Sequence, residues 1–139
     1  MSKRIILADE CFKLINTPYR AGGHTQYGVD CVGLLVLALM NGGICPLPLK
    51  KIVCEGYSQI ATNTLLLKQI RNYCDRVENA EKGDILLFKI KDVPNPTHLA
   101  VMYDNNRIIH ADSRAKRVVL VNYPSKEEGH KMSFFRIRE

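Results

Sequence analysis

The chain has 139 residues, 46% hydrophobic and 24% charged, with a formal net charge of +6. That length fits one compact domain over residues 1–139, and the ordinary apolar content excludes a disordered chain. The longest apolar run, residues 32–40, falls short of the ~20 residues of a membrane span, and the N-terminus lacks the apolar stretch of a secretory leader, so the product is expected in the cytoplasm as made.

Residues 3–15 place Ile5, Ile6, Ala8, Cys11, Phe12, Leu14 and Ile15 at roughly helical spacing, which predicts a helix packed by one face and ended before Pro18. Residues 17–29 are rich in glycine and polar groups and read as a loop. Asp30 is a good N-cap for a helix over residues 31–40, which Asn41-Gly42-Gly43 stops. That helix is apolar all round and should be buried, and Gly33 inside it points to a close packing contact. Residues 44–57, with Pro46, Pro48 and Gly56, read as an irregular connection. Residues 58–74 look helical through Ile60, Leu65, Leu66, Ile70 and Tyr73. The period then changes. Strands are predicted at 84–90, 98–103, 107–111, 118–121 and 133–137, with a loop at Pro94-Asn95-Pro96 and a turn at Asp104-Asn105-Asn106. Helices first and a meandering antiparallel sheet of five or six strands second make an α+β arrangement.

The positive balance admits an anionic partner, but the basic residues are scattered. The densest group, Arg114-Ala115-Lys116-Arg117, holds three charges and has no nucleic-acid-reading motif beside it. No nucleic-acid or membrane partner is expected. The five cysteines, Cys11, Cys31, Cys45, Cys54 and Cys74, are odd in number with no Cys-x-x-Cys pair, which predicts reduced thiols. Neither they nor His24, His98, His110 and His130 show a metal-ligand spacing, so no metal and no cofactor are expected. His130 reads as a surface residue, and the cysteines other than Cys31 read as packing or surface thiols.

Cys31 opens a helix behind a Gly-rich loop. The helix dipole and the free N–H groups there favour a thiolate, and the same groups suit the oxyanion of acyl transfer. A thiolate needs a base, and His98 and His110 stand near the ends of successive strands. A two-residue turn sets Val101 opposite His110 and puts the histidines on opposite faces. A three-residue turn, 104–106, pairs Tyr103 with Arg107 and makes them diagonal neighbours ~7–8 Å apart on one face. The chemistry therefore predicts an odd turn, with one histidine as base and the other as its orienting partner. His24 and Tyr27 could line the cleft, and Asp112 and Arg114 follow His110 at a strand end.

Five stretches in order, Asn16-Thr17-Pro18-Tyr19-Arg20-Ala21-Gly22-Gly23, Val29-Asp30-Cys31-Val32-Gly33-Leu34, Lys82-Gly83-Asp84-Ile85-Leu86-Leu87-Phe88, His98-Leu99-Ala100-Val101-Met102-Tyr103 and Arg107-Ile108-Ile109-His110-Ala111, resemble the NlpC/P60 cysteine peptidases. The resemblance implies a papain-like α+β fold, Cys31 as nucleophile, His98 as general base and His110 as third residue. It implies an oxyanion or substrate role for Tyr19, and Asp30 and His24, read from their places at the helix start and in the glycine loop, are candidates for the same site. It implies as substrate the peptidoglycan stem peptide, at the γ-D-glutamyl–diamino acid bond. The family commonly has Ser after the nucleophile, and here it is Val32. Asp-Cys-Val-Gly, His-Leu-Ala-Val and the tail Phe134-Phe135-Arg136-Ile137 are most similar to the phage-associated branch, which implies phage-tail or tail-like partners and delivery to the wall by a particle. An amidase or acyl-transfer enzyme on the same scaffold, and a catalytically silent tail-assembly or wall-binding module, are the rival readings.

Overall fold

The computed structural model describes residues 1–54, 68–90, 98–123 and 130–139. Helix α1 (Lys3–Lys13) buries Leu7, Ala8 and Cys11 along one face. It ends two residues earlier than its apolar spacing suggests, because Asn16 turns the chain with φ 75°. The loop that follows contains a short hairpin not foreseen from the sequence, β1 (His24–Thr25) and β2 (Gly28–Val29). Two-residue strands carry too little periodicity to register in a Gly-rich stretch.

Helix α2 (Cys31–Asn41) is buried on all sides from Cys31 to Leu39, as its composition predicts. The Asp30 side chain caps it by accepting the Gly33 N–H at 2.7 Å. Helix α3 (Leu47–Cys54) replaces the expected irregular connection. Pro48 sits in its first turn, where no N–H partner is needed, and the Lys50 N–H already reaches the Pro46 carbonyl. Residues 55–67 and 91–97 lie outside the described residues. So do most of the helix expected over 58–74 and the Pro94-Asn95-Pro96 loop. The chain is helical over 68–73, and the strand β3 (Cys74–Val77) begins where that helix was expected to end.

The remaining strands are β4 (Ile85–Ile90), β5 (His98–Met102), β6 (Arg107–Asp112), β7 (Arg117–Asn122) and β8 (His130–Ile137). They form a six-stranded antiparallel sheet in the order β3-β8-β4-β5-β6-β7. Helices and sheet make a mixed α+β fold. Strand parity sorts the sheet side chains into two groups. Ile85, Leu87, Leu99, Val101, Ile109, Ala111, Phe135 and Ile137 pack with α1 and α2 in the main core. Leu86, Phe88, Ala100, Met102 and Ile108 form a second cluster on the opposite face. Asp84, fully buried where β4 begins, is held by Arg136 through two hydrogen bonds of 2.9 and 2.7 Å. Among the described residues no helix is long and apolar enough to cross a membrane.

Candidate active site

Cys31 is the first residue of α2 and is 8% exposed. Backbone N–H groups of Leu99, Val32 and Cys31 itself reach its sulfur and favour its ionisation. The Leu99 contact places the sulfur against the peptide unit that joins His98 to Leu99. The helix start acts as the sequence suggests, but it does not win. Burial, reinforced by the Asp30 carboxylate, pushes the thiol up to about 11. At rest the sulfur is therefore protonated, contrary to the expectation of a thiolate ionised by the helix end alone.

Strand β5 pairs with β6 so that Val101 faces Ile109 and Met102 faces Ile108. This is the register of the three-residue turn, with the Tyr103 N–H bonded to the Arg107 carbonyl at 3.0 Å. Asp104 fixes that turn by accepting the Asn106 N–H and pairing with Arg107. The histidines consequently share a face. Nε2 of His98 lies 2.9 Å from Nδ1 of His110, with the rings edge to face. His98 also stacks on Phe88 at 5.7 Å between centroids. Burial, and then the charge of His110, push His98 down to about 4 against the opposing pull of Asp112. Burial lowers His110 as well. Both imidazoles are thus neutral at pH 7, and Nδ1 of His98 is the nitrogen that His110 does not occupy.

Tyr19 is half-buried and is held to β2 and to the β6–β7 turn. Burial raises its phenol, and the charges of Asp30 and Cys31 add to this, which puts the ring beside both residues. Asp30 is 3% exposed. One oxygen caps α2 and the other accepts the Gly22 N–H at 2.9 Å, so its observed work is to lock the glycine loop onto the nucleophile's helix. His24 stands in β1, half-buried, with Nδ1 3.4 Å from the Gly22 carbonyl oxygen, in the wall of a hollow next to the loop. Tyr27 is 76% exposed at the hairpin tip. Gly33 explains itself: a Cβ there would lie 1.8 Å from the Gly23 carbonyl oxygen. Val32 is packed into the core. Cys11 and Cys74 are buried free thiols, and Cys45 is half-buried with its sulfur 3.6 Å from the Pro46 carbonyl oxygen. The side chains of Cys54 and His130 lie outside the described residues. Asp112 stands on the face of His110, two positions on. Burial works against its ionisation, but the N–H groups of Arg114 and Ala115 and the two imidazoles hold it below the usual carboxylate range. Among the described residues no group of His, Cys, Asp and Glu side chains could hold a metal ion.

Residues 16–137 match the NlpC/P60 family. The chain belongs to that family. It is 30% identical over 107 residues to the probable endopeptidase NlpC of Escherichia coli K12, a match covering 77% of this chain and 60% of that protein. It is also 30% identical over 116 residues to dipeptidyl-peptidase 6 of Lysinibacillus sphaericus, covering 84% of this chain and 34% of that one. The chain therefore spans from about a third to three fifths of these curated relatives. The fold superposes with a TM-score of 0.68 on the P60 domain of antigen MAP1204 from M. avium subspecies paratuberculosis, at 16% identity, covering 98% of this chain and 95% of that one. Within this NlpC/P60 domain, Cys31, His98 and His110 come from the three elements that the sequence motifs mark.

Proposed function

We propose that this chain is a cysteine endopeptidase that cuts peptidoglycan stem peptides at the γ-D-glutamyl–diamino acid bond. The observation that carries the reading is the His98–His110 contact of 2.9 Å, set beside the peptide unit against which the Cys31 sulfur rests. In this reading neutral His98 carries its proton on Nε2 and donates it to Nδ1 of His110. That leaves Nδ1 of His98 free to take the Cys31 proton as the sulfur attacks the amide carbonyl carbon. The Cys31 backbone N–H and the Tyr19 hydroxyl stabilise the oxyanion. Collapse breaks the C–N bond, and the leaving amine takes the proton from imidazolium His98. Water, deprotonated by His98, then attacks the thioester. The acid departs and the proton returns to sulfur. His110 keeps the first ring in the working tautomer and spreads the charge of the imidazolium.

The name of the E. coli relative, an endopeptidase, supports the reaction class. The test is digestion of muropeptides of several stem types by the purified protein, with Cys31→Ala run beside it. Mass spectrometry is expected to show cleavage on the diamino-acid side of the glutamyl residue with the wild type and none with the variant. Intact substrate with the wild type across all stem types would overturn the substrate assignment. We place the chain in the phage-associated branch on its Asp30-Cys31-Val32-Gly33 and His98-Leu99-Ala100-Val101 motifs. Tail genes beside its own are the expected finding, and neighbours with no relation to tails would overturn that placement.

A further inference from the structure

Asp112 closes strand β6, two positions after His110. Strand parity sets Ile108, His110 and Asp112 on one face, the face on which His98 meets His110 at 2.9 Å. The Asp112 carboxylate is fixed in place. One oxygen accepts the Arg114 N–H at 2.8 Å, and the Ala115 N–H bonds to the carboxylate as well. Its position is therefore set by the β6–β7 turn, where Lys116 takes φ 62°. The Tyr19 N–H donates to the Lys116 carbonyl at 2.9 Å, so the same turn is tied to the glycine loop.

No cation takes up the charge of that carboxylate. Arg117 stands opposite Asp112 in the β6–β7 ladder, but its guanidinium donates to Oδ1 of Asn16 at 2.9 Å. Among the described residues no ion pair includes Asp112. The carboxylate acts on the histidine pair instead. It favours the charged form of both imidazoles, and both imidazoles favour its own. Among the described residues the other elements around the pair compete little for that role. Strand β4 supplies Phe88, and β7 supplies Val119 opposite His110, and neither carries charge. Helix α2 supplies the Cys31 thiol, with the Asp30 carboxylate before it turned to the N–H groups of Gly22 and Gly33. Tyr19 lies beside those two residues.

We propose that Asp112 is a positioning residue of this site: held by its turn, its carboxylate steadies the positive charge that the His98–His110 pair carries once the Cys31 proton has moved to His98. The inference rests on the peptidase reading above and adds a fourth side chain to it. Asp112 takes up no proton itself and touches no substrate. It acts through the imidazoles.

Asp112→Asn removes the charge and keeps an oxygen that can accept the Arg114 N–H, so the turn is retained. Two measurements are made on wild type and variant: NMR titration of the His98 and His110 rings without substrate, and the pH profile of kcat/KM on a muropeptide. A carboxylate favours imidazolium, so its removal is expected to move both ring midpoints and the acid limb of kcat/KM to lower pH, by about half to one unit. The fall in kcat should be about three- to tenfold, with KM nearly unchanged. Asp112→Glu keeps the charge and should recover part of both effects. Added salt should narrow the gap between wild type and Asp112→Asn, because the carboxylate is only half-buried. Asp112→Ala also releases the turn and with it Tyr19, so it should lose more kcat than Asp112→Asn for the same shift of the acid limb. Ring midpoints that stay in place in Asp112→Asn would overturn the role, and so would a fall in kcat with the acid limb unmoved. Midpoints that move as expected in a protein that cleaves no muropeptide would sink the peptidase reading while supporting the coupling of Asp112 to the pair.

Discussion

His98 and His110 share one short hydrogen bond, and breaking it separates orientation from bulk binding. His110→Ala leaves Nε2 of His98 without its partner, so the ring loses both its tautomer and its angle. The drop in kcat is expected to be on the order of 10²–10⁴, the range for the orienting member of a triad, with little change in KM. His110→Asn restores an acceptor and should recover part of kcat. A proportionate rise in KM with kcat intact would instead assign His110 to substrate binding. This pair is legible in the sequence because strand parity is strict: residues 98 and 110 share a face only if the turn has an odd length. The ionisation of Cys31 is not legible in the same way. A motif gives the helix start and its N–H groups, while desolvation depends on how closely β5 covers the sulfur, which only packing decides.

At the level of elements, the contact between α2 and the glycine loop carries the site. Gly33→Ala would gain about 1 kcal/mol of helix propensity. It would also drive a methyl group to within 1.8 Å of the Gly23 carbonyl oxygen, a backbone atom that cannot swing aside. Overpacking of that kind costs about 1–3 kcal/mol, so the variant should be less stable in urea despite the better helix former. The displaced loop also carries the Gly22 tether of Asp30, so kcat/KM should fall with it. A stability equal to or above that of the wild type would refute this. The sequence shows α1, α2 and the central strands because their apolar periods are long and unbroken. It hides α3 because Pro46 and Pro48 look like breakers, although the first turn of a helix tolerates them. It hides β3 because Cys-Asp-Arg-Val is a short edge strand whose pairing with β8 is specified from the far end of the chain.

Across the whole molecule, two buried polar clusters set the response to mutation and to acid. Asp84 is fully buried, accepts the Glu81 N–H and holds Arg136 through both oxygens, which ties the start of β4 to β8. Removing one partner of a buried pair costs about 3–5 kcal/mol. The Arg136 side chain is 33% exposed and can recover some hydration, so Asp84→Ala should cost about 3 kcal/mol, read from urea midpoints, with the alkylation rate of Cys31 unchanged.

Acid acts through the histidine pair. His98 is pushed from 6.5 to about 4 by burial and then by His110, so between those pH values the unfolded chain takes up a proton that the folded chain refuses. Stability must then fall as pH falls through that window, by up to about 1.4 kcal/mol per pH unit, and level off below about 4. His110, lowered by burial, adds in the same direction. The Asp104 and Asp112 carboxyls are also held down, but they titrate below this window and so steepen the loss only at lower pH. The comparison of wild type with His98→Gln isolates the effect. Urea unfolding at pH 7 and at pH 4.5 should show a larger loss for the wild type than for the variant, which has no imidazole at position 98 to charge. Equal losses in the two proteins would mean that His98 titrates alike in both states and is not enclosed as its contact with Phe88 and His110 indicates.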